Sequence, residues 1–200
     1  MSAGARSATA PRGALDASRV IETRRLRDAF AQFMTGVVVL TTAKAEGGWA
    51  AVTVNSFTSV SLDPPLLLWC LGRRANCRRY FERAARFSAS ILSLRQQKIS
   101  NNFARPSAST WDDVPVVRTP EGDLLIRGAA ATFQCTTHAR HRGGDHVILI
   151  GRVEKFAVGQ RTSPLGFFQG AYGSFTRDQG DAFRMDAVPL TSEDLTLGWG

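Results

Sequence analysis

Lysine is scarce in this chain: only Lys44, Lys98 and Lys155 stand among its 25 cationic residues. Long apolar runs are missing too. Val37–Thr41 and Leu66–Leu71 are strand-sized, far short of the roughly 20 residues a membrane-crossing helix needs. Cysteine is limited to Cys70, Cys77 and Cys135. That odd number, without framework spacing, argues against a disulfide scaffold and predicts free thiols in a reducing, cytoplasmic compartment. Residues 1–19 hold Ala, Ser and Arg with no apolar signal core, so secretion is not expected. Cys135, His138, His141 and His146 match no zinc spacing, which sets a metal aside. No Ser-His-Asp or paired-carboxylate constellation stands out, no internal repeat is found, and no helix-turn-helix or aromatic RNA-binding signature appears.

What is present is a globular composition, 44% hydrophobic and 21% charged over 200 residues, enough for one domain with a real core. The net charge is +8. An arginine-rich excess suits phosphate-bearing partners, because guanidinium forks phosphate oxygens. Nucleic acid and a nucleotide cofactor both qualify, as does a merely well-solvated basic surface.

Residues 1–20 read as a flexible arm, 21–175 as the domain and 176–200 as a C-terminal tail. Leu26, Phe30 and Phe33 recur at helical spacing, one apolar face of a helix. Val37 to Thr42 is β-branched and apolar, a buried strand, and Glu46-Gly47-Gly48 turns it into a second strand, Trp49 to Ser56. Asp63-Pro64-Pro65 precedes a third, Leu66 to Leu71. Arg74 to Arg86 has a helical pattern, Phe87 to Leu94 is strand-like, and Gln96 to Phe103 suits a short helix. Arg105 to Gly122 reads as loop, Leu124 to Thr137 as one long strand, His138 to Gly144 as a polar hairpin loop and His146 to Val158 as the next strand. Strands with helices inserted between them predict a mainly β, closed or nearly closed antiparallel barrel.

The block Ala51-Val52-Thr53-Val54-Asn55-Ser56-Phe57-Thr58-Ser59-Val60-Ser61-Leu62-Asp63-Pro64-Pro65 resembles the signature of the short-chain flavin reductases. These are the reductase components of two-component flavin-dependent monooxygenases. Phe33-Met34-Thr35-Gly36-Val37, Cys70-Leu71, Phe87 to Ser93, Gly144-Asp145-His146 with Gly151-Arg152-Val153, and Gly170-Ala171-Tyr172-Gly173 resemble further family segments in the expected order. The matches span roughly residues 26–175.

The resemblance implies a six-stranded antiparallel split β-barrel of Greek-key type, binding FMN or FAD, usually as a homodimer with the flavin near the subunit interface. It implies hydride transfer from NADH or NADPH to that flavin, and delivery of reduced flavin to a separate oxygenase. Thr53, Val54, Asn55 and Ser56 would edge the ring, which needs an apolar slot with a few donors and acceptors. The segment Leu71 to Cys77 lies where the family binds the flavin phosphate. Arg73 or Arg74 would fork it and Asn76 would cap the following helix. Ala75 and Cys77 replace the usual small hydroxyl residues, leaving the phosphate ligands, and FMN against FAD, open. Ser90 stands where the family often has Asn, and Ser93 and Phe103 complete the expected cofactor set. Tyr172 would close the pocket or pack in the interface. His146 matches the family histidine beside flavin and nicotinamide, with Asp145 either orienting its Nδ1–H or serving as a turn residue. Other acceptors on the same barrel, such as a corrinoid, and a non-catalytic flavin-binding module are the alternatives. No nucleic-acid or membrane partner is expected.

Overall fold

The computed structural model describes residues 22–105, 111–159 and 163–174. The expected arm at 1–20 and tail at 176–200 lie outside the described residues. In chain order the elements are α1 (Thr23–Phe30), β1 (Thr35–Gly36), β2 (Val38–Ala43), β3 (Trp49–Val54), β4 (Thr58–Leu62), β5 (Pro65–Gly72), α2 (Arg78–Arg83) and β6 (Arg86–Ile91). A single 3-10 turn (Leu94–Gln96) leads into α3 (Gln97–Ala104). Then follow β7 (Val116–Arg118), β8 (Leu124–Ile126), β9 (Ala131–Gly143), β10 (His146–Val158), β11 (Gly166–Phe168) and β12 (Ala171–Gly173).

The fold is mainly β and antiparallel, as expected, but its main sheet has seven strands, ordered β3-β2-β6-β9-β10-β5-β4, not six closed into a barrel. The ends of this order, β3 and β4, are consecutive in the chain yet belong to different ladders. Between them Ser56 accepts a hydrogen bond from Cys70 N at 2.9 Å, tying the connection to β5. Two small sheets, β1-β11-β12 and β7-β8, flank the main one.

Strand β5 shows why alternation works as a signal. Leu67, Trp69 and Leu71 are buried while their neighbours are only partly covered. Trp69 meets Phe81 edge-on at 5.0 Å and Phe87 at 5.7 Å, and α2 closes that end of the interior with Phe81. Strand β2 is buried along nearly its whole length. Val38 and Leu40 join this first core, and Val37 and Val39 face a second one with Leu92, Phe103, Ile126 and Leu165.

Several expectations need correction. The helix in the Arg74–Arg86 region covers only Arg78–Arg83. Cys77 occupies its N-cap without a side-chain cap bond, so Asn76 does not cap it. Leu124 to Thr137 is two strands, broken where Arg127 N bonds Pro115 O. Of the stretch His138 to Gly144, all but Gly144 is strand rather than loop: β9 and β10 stay paired to His146↔Gly143. Only Gly144-Asp145 turns the chain, with Gly144 at φ +64° in the glycine-first hairpin position. Finally, the helix expected to carry Leu26, Phe30 and Phe33 ends at Phe30, leaving Phe33 beyond it. Phe30 and Phe33 are 69% and 78% exposed.

One glycine is needed for packing. A Cβ on Gly151 would lie 2.4 Å from Phe87 Cζ and 3.1 Å from Cys135 Cβ, inside the first core. Gly151→Ala should lower stability by about 1–3 kcal/mol through overpacking, read by urea denaturation. Stability equal to wild type would show that Phe87 moves aside at no cost.

Candidate functional site

Two adjoining cavities share Asn55 and Phe167. The larger, about 600 Å³, lies between the end of α1, Thr35 on β1 and the β11–β12 turn. Phe30, Phe33 and Phe167 supply its apolar walls. The smaller, about 230 Å³, is lined by Thr53, Val54, Ser100 and Tyr172, among others. Volumes of this order suit a small organic ligand.

The second core positions the walls of the smaller cavity. On β3, Thr53 lies on the outer face, where its Oγ1 donates to Ser100 O at 2.8 Å. Tyr172 OH donates to Asn101 Oδ1 at 3.0 Å, so Ser100 Oγ–H donates in turn to the Tyr172 oxygen at 2.8 Å. These bonds clamp β12 and β3 onto α3. The β11–β12 turn is tight: Gln169 and Gly170 both have positive φ, 49° and 80°. Gln169 N bonds Ala31 O, and its side-chain amide donates to Gln32 Oε1 at 3.0 Å, holding the end of α1 against the cavity.

Polar groups at the rim are sparse and partly unused. Thr35 Oγ1 is buried without a hydrogen-bond partner among the described residues. Asn55 is exposed at the junction of the cavities. A hydroxyl orphaned among the described residues and an exposed amide beside an apolar slot fit the polar edge of a planar heterocycle such as isoalloxazine.

The expected cofactor residues divide sharply. Thr53, Val54, Asn55 and Tyr172 come together at the cavities. Ser56 has its hydroxyl engaged by the Cys70 backbone in both directions, at 2.9 and 3.2 Å. Leu71 is first-core packing. Ser90 is fully buried and accepts from Ile126 N at 3.1 Å. Ser93 caps the 3-10 turn through a reciprocal pair with Gln96, and Phe103 packs on Trp111 in the second core. Arg73, Arg74, Asn76 and Cys77 follow the end of β5 and do not line these cavities. Burial pushes the Cys77 thiol up to about 11, so it stays protonated. Thr35, Ser100, Phe167 and Gln169 were missed by residue-level reading. Thr35 stands inside a segment whose resemblance was noted, and that was the available signal.

His146 starts β10 opposite Gly72. Its Nδ1 lies 2.7 Å from Asp145 Oδ1. An ionised carboxylate only accepts, so Nδ1–H donates and, among the described residues, Nε2 is left for a ligand. The hydrogen bond from His146 and then its charge hold the Asp145 carboxyl below its ordinary value. The residues lining the two cavities do not include His146.

The profile of the flavin reductase like domain matches residues 30–176. The chain belongs to this family. It is 43% identical over 153 residues to the reductase component of a flavin-dependent trigonelline monooxygenase of Acinetobacter baylyi, a match covering 76% of this chain and 49% of that protein. It is 39% identical over 155 residues to the FMN reductase (NADH) SmoA of Agrobacterium fabrum, covering 78% of this chain and 87% of that protein. The NADH:FAD oxidoreductase of Streptomyces globisporus C-1027, solved with NAD and FAD fragments, superposes with a TM-score of 0.74 at 34% identity. That superposition covers 82% of this chain and all of the other. The chain spans about half the length of the first curated relatives it matches.

Asn55→Ala should weaken flavin binding roughly fivefold, the worth of about 1 kcal/mol for one lost hydrogen bond, measured by fluorescence titration. Affinity unchanged from wild type would remove Asn55 from the site.

Proposed function

We propose that this chain is a NAD(P)H-dependent flavin reductase that transfers hydride to FMN or FAD and supplies reduced flavin to a separate monooxygenase. The observation that carries the reading is the paired apolar cavity edged by the orphaned Thr35 Oγ1 and the exposed Asn55, among the described residues, in a chain of the flavin reductase like family. The names of the relatives support it: an FMN reductase (NADH), a monooxygenase reductase component and an NADH:FAD oxidoreductase.

When bound, flavin would supply the acceptor for one hydride, which carries both electrons, from the nicotinamide. The chain's own residues then have modest duties. Phe30, Phe33 and Phe167 hold the ring and exclude water, Asn55 and Thr35 meet its polar edge, and Thr53 and Tyr172 fix the wall. Positioning, rather than acid–base chemistry, is what hydride transfer requires. His146, held by Asp145, would orient the nicotinamide through its Nε2.

We also place the protein in the cytoplasm as a homodimer. Among the described residues no helix is long and apolar enough to cross a membrane. The exposed Leu26, Phe30, Phe33 and Met34 offer an apolar face for a second copy. Sedimentation as a monomer at micromolar concentration would remove the dimer.

The deciding experiment measures steady-state oxidation of NADH and NADPH with added FMN or FAD. Flavin-dependent turnover is expected. A pure protein that neither takes up flavin nor consumes reduced nicotinamide would overturn the reading, and flavin uptake without turnover would leave a binding module. His146→Ala should slow turnover roughly 10–100-fold, the effect of a misplaced reactant, while flavin affinity stays within a factor of two or so. A mutant turning over at the wild-type rate would take His146 out of the mechanism.

A further inference from the structure

A second concavity, about 320 Å³, lies away from the cavities around Asn55 and is lined chiefly by charge: Arg73, Arg78, Glu82, Arg140, His141 and Arg142. It forms where the β5–α2 connection, α2 and the β9–β10 hairpin converge. The ladder explains the convergence. Arg140 pairs with Leu149 and Arg142 with Val147, and both partners are buried inward-facing residues of β10. Residues two apart share a strand face, so both arginines emerge on the side that α2 covers. His146, next to Val147, starts from the opposite face of β10.

Some of these guanidiniums are already braced. Arg78 Nε sits 2.7 Å from Glu82 Oε1, and its terminal nitrogen donates to Arg73 O at 3.3 Å. Arg140 donates to Ala84 O. Arg73 N bonds Asp145 O at 2.9 Å, tying the connection to the hairpin tip. The one carboxylate in the lining, Glu82, is thus spent on Arg78, and four guanidiniums share the concavity. Like charges gathered in a concave surface raise a focused positive potential. Part of each fork remains available, with geometry suited to tetrahedral oxyanions.

We propose that this arginine-lined concavity is a phosphate-binding site, separate from the aromatic flavin cavity. Its occupant is a phosphate group, either free inorganic phosphate or the phosphate of a nucleotide. Arg73 also belongs to the segment that the family resemblance linked to the flavin phosphate; Arg140 and Arg142 do not, and they carry the test.

The experiment titrates inorganic phosphate into the flavin-free protein by calorimetry, with chloride at matched ionic strength as control. It requires no turnover, so it stands or falls independently of the reductase reading. Saturable phosphate binding is expected, at least tenfold weaker in Arg142→Gln and partly kept in Arg142→Lys, because Lys holds the charge without the fork. Phosphate should raise the wild-type Tm, and Arg142→Gln should melt no lower than wild type in phosphate-free buffer, since it relieves like-charge crowding. Displacement of bound phosphate by NADPH alone would identify a nucleotide 2′-phosphate, displacement by NADPH and NADH the diphosphate bridge, and displacement by neither free phosphate. Heat no greater than the chloride control, an affinity in Arg142→Gln within twofold of wild type, or a variant clearly less stable without phosphate would overturn the proposal.

Discussion

The two-sided burial of β2 is the constraint on which the rest of the molecule depends. Its residues, with Val37 just before it, alternate between two cores: Val38 and Leu40 pack with Trp69, Phe81 and Phe87, while Val37 and Val39 pack with Leu92, Phe103 and Leu165. Each fully buried aliphatic side chain contributes about 1.5–3 kcal/mol relative to exposure, so this one strand stabilises both halves. The first core is the interior of the main sheet. The second exists to hold α3 and the β11–β12 hairpin against the outer face of β2 and β3. Tyr172, Phe167 and Ser100 reach the cavity only because that second core is there.

That arrangement also explains the chemistry of the site. Its walls are rings, aliphatic groups, hydroxyls and amides, with Arg27 and Asp28 only at the outer end of the larger cavity. A reaction whose electrons are carried by two stacked cofactors asks the protein for shape and alignment more than for a proton donor. The cysteines fit the same picture. Burial raises Cys70, Cys77 and Cys135 alike, the last to about 12, so none presents a ready thiolate.

How much was legible in the sequence follows the range of the interactions involved. The β2–β3 hairpin and the alternation in β5 are local, and both were readable from residue type. Thr53, at the end of β3, and Asn55, just past it, stand in one recognisable block, and both line the smaller cavity. Strand count was not, because closing or opening a barrel depends on ladders between distant segments, and the bonds of Ser56 to Cys70 are invisible in sequence. The same limit hid the packing of Ser90, Ser93 and Leu71. Their positions in family-like segments suggested ligand contact, but Ser90 and Leu71 sit on inward faces and Ser93 closes a helical turn. Periodicity marked Leu26 and Phe30 on α1, ran on to Phe33 past the helix end, and said nothing about what covers them.

The exposed stripe bears on how such a site would exchange its ligand. The inner wall of the cavity, β3, is locked into the β2 ladder over Trp49–Val54, and moving it would break a run of paired backbone groups. The outer wall, the end of α1, is tied to the β11–β12 turn by the Gln169 N to Ala31 O bond and the Gln169–Gln32 amide pair. Phe30 and Phe33 bury little surface there, and hydrogen bonds each contribute only about 0.5–1.5 kcal/mol net. Within one chain, opening the α1 side is therefore far less costly than opening the β3 side, and a second copy over this stripe would add to that cost. The cavity therefore has one rigid wall, able to align a planar ring, and one loosely held wall through which a ligand can pass.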